Sequence, residues 1–276
     1  MVESVNTNAS SLFGVQFLQK SNRLLGTSEK QLSTGLKVSG AQDDAATYAI
    51  TNILKGNVAG LNSVKNSLDR AISTSDVALA AGGDIASLLV QLKEKAVQAA
   101  DPGLDQQSRL ALNDQFVALR DQISTAVASA EFNGTNALKA GGDNIVAITG
   151  ASGGGSITID AQNLSLGGPN VSLGPTQGIS TEADAAAAIA AIDQSIQSVS
   201  DSLSKIGSGS AQLHKVKDFT ETLSGTTQKG IGALSDADLA AASAQFAANQ
   251  VKQDLGIQSL SIANKQPAAL LGLFRS

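Results

Sequence analysis

Four prolines, at positions 102, 169, 175 and 267, leave residues 1–101 and 176–266 free of the strongest helix breaker. Both stretches also carry apolar residues at sustained heptad spacing. Ile50, Val64, Ala71, Ala78, Ile85 and Leu92 share one register, with Asn57 as its polar member; Leu54, Leu61, Leu68 and Leu89 share a second. On the other flank Ile189, Ile196 and Leu203 form one register and Ile192, Val199, Ile206 and Leu213 the other, and Val216 and Leu223 extend the stripe. Paired registers held over many turns make a helix that lays a narrow apolar seam against a partner helix. The expectation is a mainly α protein, with long coiled-coil-like helices from both chain ends packed together and a small β-hairpin region in the middle. Gly82-Gly83 interrupts the first seam and predicts a bend or local break there. Ser180-Thr181-Glu182 supplies capping residues for the helix that follows.

Between the flanks the composition changes. Asp101-Pro102-Gly103 breaks the chain, and Leu112, Phe116, Leu119, Ile123 and Val127 then recur at helical spacing, predicting a helix over about 104–130. Phe132-Asn133-Gly134 is the expected stop, with Gly134 as the terminating residue. Segment 141–178 is dense in glycine and holds only two charged residues, Asp143 and Asp160. Ile145–Thr149 and Ile157–Asp160 read as short strands of a hairpin with Gly153-Gly154-Gly155 between them. Leu164/Leu166 and Val171/Leu173 suggest a further strand pair around Gly167-Gly168-Pro169.

Little in the chain is equipped for chemistry. With no Cys and one His among 276 residues, disulfides, thiolate metal sites, Cys nucleophiles and multi-His metal sites are excluded. The lone His214 reads as a helix-face residue, and Asp43-Asp44 as acids placed at a helix start by its dipole. Neither Gly141-Gly142 nor Gly153-Gly154-Gly155 is followed by Lys-Ser/Thr and a helix, so neither reads as a phosphate cradle. A net charge of -5 with 3% aromatic residues argues against a nucleic-acid groove. No run approaches the ~20 apolar residues that span a bilayer. The expectation is a protein that is not an enzyme, holds no cofactor or metal, binds no nucleic acid and does not insert in membranes.

The termini differ from the rest. Leu18, Leu25 and Leu32 are seven apart, as are Leu239 and Phe246, and Leu255 and Ile262, yet residues 1–19 carry one charge, Glu3, and residues 239–276 carry only Lys252, Asp254, Lys265 and Arg275. Solvent-facing helices usually carry more charge. Two nearly uncharged helices can cover only part of each other, so other copies of the chain must cover the rest. Before that happens residues 1–40 and 236–276 are expected to stay largely disordered, because their burial does not offset the ordering entropy.

Val5-Asn6-Thr7-Asn8 and the long string Leu32-Ser33-Thr34-Gly35-Leu36-Lys37-Val38-Ser39-Gly40-Ala41-Gln42-Asp43-Asp44-Ala45-Ala46 resemble bacterial flagellin. Leu92–Ala100 resembles the first spoke helix of that family, Glu131-Phe132-Asn133-Gly134 the turn before its hairpin, and Ala233–Asp238 with Ala263-Asn264-Lys265-Gln266-Pro267 its C-terminal signature. The resemblance implies a filament subunit of the flagellum, in a short form lacking large outer domains. Residues 1–43 and 233–276 would be the two halves of an inner tube domain, and 44–232 the surrounding helical domain. Leu18, Leu25, Leu32, Leu36, Leu239, Phe246, Leu255 and Ile262 would form the self-assembly core. Asn6, Thr7, Asn8, Ser33, Gly35, Asp43, Asp44, Asn133, Gly134 and Asn264 carry the family motif.

Implied partners are many copies of the chain itself, the flagellar export apparatus, a secretion chaperone, and the hook-associated and cap proteins. The implied location is extracellular, reached through the flagellum's own channel without a cleaved signal peptide. Where receptor-activating flagellins carry an Arg and, four residues on, a Leu, this chain has Gln91 and Lys95, which implies weak signalling through the vertebrate flagellin receptor. Hook–filament junction proteins share such terminal segments and form the alternative reading; a cytoplasmic coiled-coil scaffold leaves the motif string unexplained.

Overall fold

The computed structural model describes residues 7–273, with side chains to residue 265. The elements in chain order are α1 (Ala9–Thr34), α2 (Ala45–Ala99), α3 (Gln106–Ser129), β1 (Ile145–Ile148), β2 (Ser156–Ile159), α4 (Glu182–Ser235) and α5 (Leu239–Leu273). The mainly α expectation holds. Every helix start carries a side-chain oxygen that accepts an otherwise orphaned backbone N–H. Asn8 accepts from Ser11 N at 3.0 Å, Asp44 from Thr47 N at 3.1 Å, Asp105 from Ser108 N at 2.9 Å, Thr181 from Asp184 N at 3.1 Å and Asp238 from Ala241 N at 3.1 Å. The helix that carries the Ile50-to-Leu92 register and the cap at Ser180–Glu182 are thus where the sequence places them.

Two compact units share the chain. One comprises residues up to Gly56 and from Thr226 onward; the other is Asn57–Gly225. In the second, α2, α3, α4 and the hairpin enclose one core in which Leu68, Ile85, Leu89, Leu92, Phe116, Ile123, Ile192 and Ile206 are fully buried. The heptad seam of α2 is therefore real from Leu61 on. Its early member Ile50 stands half exposed in the first unit. On α4 the Ile192, Val199, Ile206, Leu213 register is the buried one, and the Ile189, Ile196, Leu203 register packs around it. Lys93–Asp193 (2.6 Å), Lys217–Asp69 (2.7 Å) and Lys65–Glu221 (3.0 Å) bridge α2 and α4 at the solvent edge. β1 and β2 pair antiparallel with Ile145 opposite Ile159 and Ile148 opposite Ser156. Ile145 and Ala147 point into the core, and Val146 and Ile148 point out.

Four expectations need correction. Gly82-Gly83 does not break α2, which is continuous from Ala45 to Ala99. A Cβ at Gly82 would sit on the side chain of Leu203, so this glycine lets α4 approach closely. Gly134 does not stop α3, which ends at Ser129. Buried Asn136 donates its side-chain N–H to Val127 O at 2.8 Å and takes the carbonyl a further turn would need. Asn133 (φ 50°) and Gly134 (φ 83°) instead form the tight turn between bridged Phe132 and Thr135.

Leu164–Leu173 is not a strand pair. Leu164 N bonds Leu138 O at 2.8 Å, Gly167 N bonds Leu173 O at 2.8 Å, and Ser172 N bonds Ser195 Oγ on α4 at 3.0 Å. The backbone is satisfied by a buried loop, and Leu164, Val171 and Leu173 plug the core from it. Finally, α2 does hold an 18-residue stretch long and apolar enough to cross a bilayer by length and composition. Ala78, Ile85, Leu89 and Leu92 spend that apolarity on the core of the second unit.

The candidate assembly surface

The motif residues of the first unit build a clasp. Gly35, in the left-handed region at φ 70°, closes α1 by donating its N–H to Gln31 O at 2.9 Å. The strand-like step that follows lies against the chain entering α5. Lys37 N and Val38 N both donate to Ser235 O, at 2.7 and 3.2 Å, and Ala237 N donates to Gly35 O at 2.9 Å. Half-buried Leu36 bridges Asp236 within this step.

Asp43 ties the next loop down. Its carboxylate accepts from Lys30 Nζ at 3.0 Å on both oxygens, from Ser39 N and Ser39 Oγ at 3.0 Å, and from Gly40 N at 3.1 Å. The Lys30 bond, followed by those from Ser39, holds its pKa down to about 2. Asp44, capping α2, is likewise lowered, first by the Thr47 hydroxyl at 2.6 Å and then by the Thr47 N–H. Asp44 thus stands at the helix start, whereas Asp43 bonds the loop before it rather than the helix N–H groups. Ser33 is an exposed residue of α1's last turn. Asn6 lies outside the described residues.

The clasp sends α1 and α5 back along each other, antiparallel. Their shared seam is small and polar. Ser21 and Ser28 of α1 and Asn249 of α5 are buried in it; Ser21 Oγ donates to Asn249 O at 3.2 Å, and Asn249 Nδ2 to Ser28 Oγ at 3.4 Å. Gly14 faces Leu260, and Gly256 faces Phe17 and Leu18. At the far end Asn8 Nδ2 donates to Ala263 O and Ser11 Oγ to Asn264 Oδ1, both at 2.8 Å, joining motif residues from the two chain ends.

The sequence-derived assembly residues therefore divide. Leu18, Leu25, Leu36 and Phe246 are half-buried within the unit, whereas Leu32, Leu239, Leu255 and Ile262 are exposed. Heptad reading found Leu255 and Ile262 but missed Val251 and the matching apolar phase on α1. Phe13, Phe17 and Leu24 on α1, and Val251, Leu255 and Ile262 on α5, repeat the same i, i+4, i+11 spacing and are all exposed, Phe13 at 72% and Ile262 at 66%. The Phe13-to-Phe17 step of four was the available signal. Lys20 stands in the α1 stripe between Phe17 and Leu24, and Gln258 in the α5 stripe between Leu255 and Ile262; the remainder is exposed apolar surface of the kind that marks a protein–protein contact. Exposed Gln91 and half-buried Lys95 stand elsewhere, on α2. Among the described residues no group of three His, Asp or Glu side chains is placed to hold a metal ion.

Two family models match the chain, the bacterial flagellin N-terminal helical region over residues 5–142 and the C-terminal helical region over 189–274. The chain is 38% identical to the flagellins FljK and FljM of Caulobacter vibrioides over 274 residues, spanning 99% of both chains in each case. It is 28% identical to Flagellin C of Rhizobium meliloti over 99% of both chains. Among solved structures, Bacillus cereus flagellin shares the fold with a TM-score of 0.51 at 23% identity, over 56% of this chain and 88% of that one. A putative flagellar hook-associated protein from Vibrio parahaemolyticus does so with a TM-score of 0.59 at 12% identity, over 70% of this chain and 100% of that one. These full-length sequence relatives are flagellins, and the junction reading is not better supported. The exposed apolar faces on α1 and α5, the clasp built from the motif string and the matches at both chain ends lead to one conclusion: the chain belongs to the bacterial flagellin family, in a short form, and is a structural subunit of the extracellular flagellar filament.

Proposed function

We propose that the subunit polymerises by burying the exposed apolar faces of α1 and α5 against those of neighbouring copies, with residues 1–43 and 233–276 forming the inner tube and 44–232 surrounding it. The observation that carries this reading is the Phe13–Phe17–Leu24 and Val251–Leu255–Ile262 pair of stripes, apolar and exposed on one copy. A heterologous contact that does not close generates a helical polymer. The seam between α1 and α5 leaves Phe13, Val251, Leu255 and Ile262 exposed, so the ordering of the two helices is completed when an incoming subunit docks at the filament tip. The Cys-free chain is proposed to leave the cell unfolded through the flagellar export apparatus, escorted by a secretion chaperone and seated by hook-associated and cap proteins. The test is Leu255→Asp in seeded polymerisation followed by negative-stain electron microscopy. Filaments fail to grow while circular dichroism shows the helices of the second unit intact; normal filaments from this variant would sink the reading.

A further inference from the structure

We propose that α1 and α5 are set in register by hydrogen bonds rather than by apolar packing, and that Asn249 is the residue that positions them. This deepens the assembly reading: register decides which apolar residues of the two helices stand level with each other for the next copy. Along α1 the seam residues Leu18, Ser21, Leu25 and Ser28 alternate at steps of three and four. The serines are the buried members at 3% exposure each, and Asn249, itself 7% exposed, spans both of them through its carbonyl and its side-chain amide. Asn249 stands between the two serines, and sliding α5 by one helical turn would bring it level with one of them and out of reach of the other, breaking one of the two buried bonds. A buried polar residue that is satisfied in one register alone specifies that register. Leucine contacts on their own accept either level.

A second rung reinforces the first. Pro267, inside α5, has no N–H, so the carbonyl of Ala263 lacks its helical donor. Asn8 Nδ2 supplies one at 2.8 Å while the Asn8 side-chain oxygen caps α1. Asn22 Oδ1 accepts from Gln253 Nε2 at 2.8 Å between the two rungs.

The absence of cysteine makes the register directly readable. A Cβ built on Gly14 lies 3.9 Å from Leu260 Cβ, a separation that suits a disulfide. Gly14→Cys with Leu260→Cys therefore reports the native register, and Gly14→Cys with Gly256→Cys or Asn264→Cys reports slips of one turn. Each pair is oxidised in the full chain, as monomer and as sheared filament, in three backgrounds: otherwise unchanged, with Asn249→Leu, and with Ser21→Ala plus Ser28→Ala. The expected result is a dominant native cross-link in the unchanged background. It falls several-fold in both variants, with the slipped products rising in its place. A native cross-link that persists alone in both variants overturns the proposal. So does loss of all cross-links, since that makes the rungs necessary for pairing itself rather than for register. Polymerisation of the Leu255→Asp chain is read separately, so failure of the assembly reading and failure of the register proposal give different results.

Discussion

Asp43 holds the loop between α1 and α2 through a single carboxylate bonded to Lys30, Ser39 and Gly40. Its pKa drops from 3.8 to about 2 on folding, so the folded state binds its proton less readily than the unfolded chain does. The stabilisation is complete above the unfolded value and is lost as pH falls from 3.8 through about 2. Asp43→Asn is therefore expected to lower the thermal stability of the clasp near neutral pH, with the difference from the parent shrinking as pH falls from 3.8 through about 2. Thermal unfolding followed at a series of pH values checks this; a gap independent of pH would contradict it. Asn133-Gly134 is the other residue-scale constraint. Both residues sit at positive φ, 50° and 83°. A β-branched side chain is costly there, and Gly134→Val is expected to lose about 1–2 kcal/mol in urea unfolding.

Among the elements, α4 shows how position overrides propensity. Gly207 and Gly209 are two residues apart in one helix, and intrinsic preference disfavours both equally. Nothing lies within 4 Å of a Cβ at Gly207, whereas a Cβ at Gly209 would stand 2.6 Å from Ile159 Cγ1 of β2. Gly207→Ala is expected to stabilise the monomer by about 0.5–1 kcal/mol. Gly209→Val is expected to cost about 1–3 kcal/mol by overpacking the buried Ile159. Denaturant midpoints of the two variants, measured side by side, test the opposite signs. The same logic explains α2. Gly82 reads in sequence as a break and serves in the fold as the place where Leu203 fits. Arg109 closes that helix from outside it, donating to Ala99 O at 2.8 Å and Asp101 O at 3.0 Å.

For the whole molecule, the proposed assembly residues and the receptor-motif positions fall on different elements. Assembly is assigned to α1 and α5, whereas Gln91 and Lys95 lie on α2 within the second unit. The chain is expected to signal weakly through the vertebrate flagellin receptor, and Gln91→Arg with Lys95→Leu is expected to raise the response without changing polymerisation. Dose–response curves in receptor-expressing cells, with filament yield measured in parallel, check both halves. Strong signalling by the unchanged chain would refute the expectation.

Much of this fold was legible in the residues. Proline placement and the paired registers marked α2 and α4, caps such as Asp44 and Thr181 began helices where local hydrogen bonding dictates, and the string from Leu32 to Ala46 pointed to the family. Those signals are local in the chain, and local chemistry suffices to produce them. The buried loop around Gly167 was not legible, because its backbone partners, Leu138 and Ser195, are remote in sequence. Nor was the choice of face on the terminal helices. Leu18–Leu25–Leu32 and Phe13–Phe17–Leu24 are both apolar phases of one weakly charged helix, and periodicity ranks neither. The facing helix decides: Gly256 and Asn249 leave room and hydrogen bonds for Leu18, Ser21 and Ser28, so Phe13, and the part of Phe17 that does not rest on Gly256, are left exposed for another copy to cover.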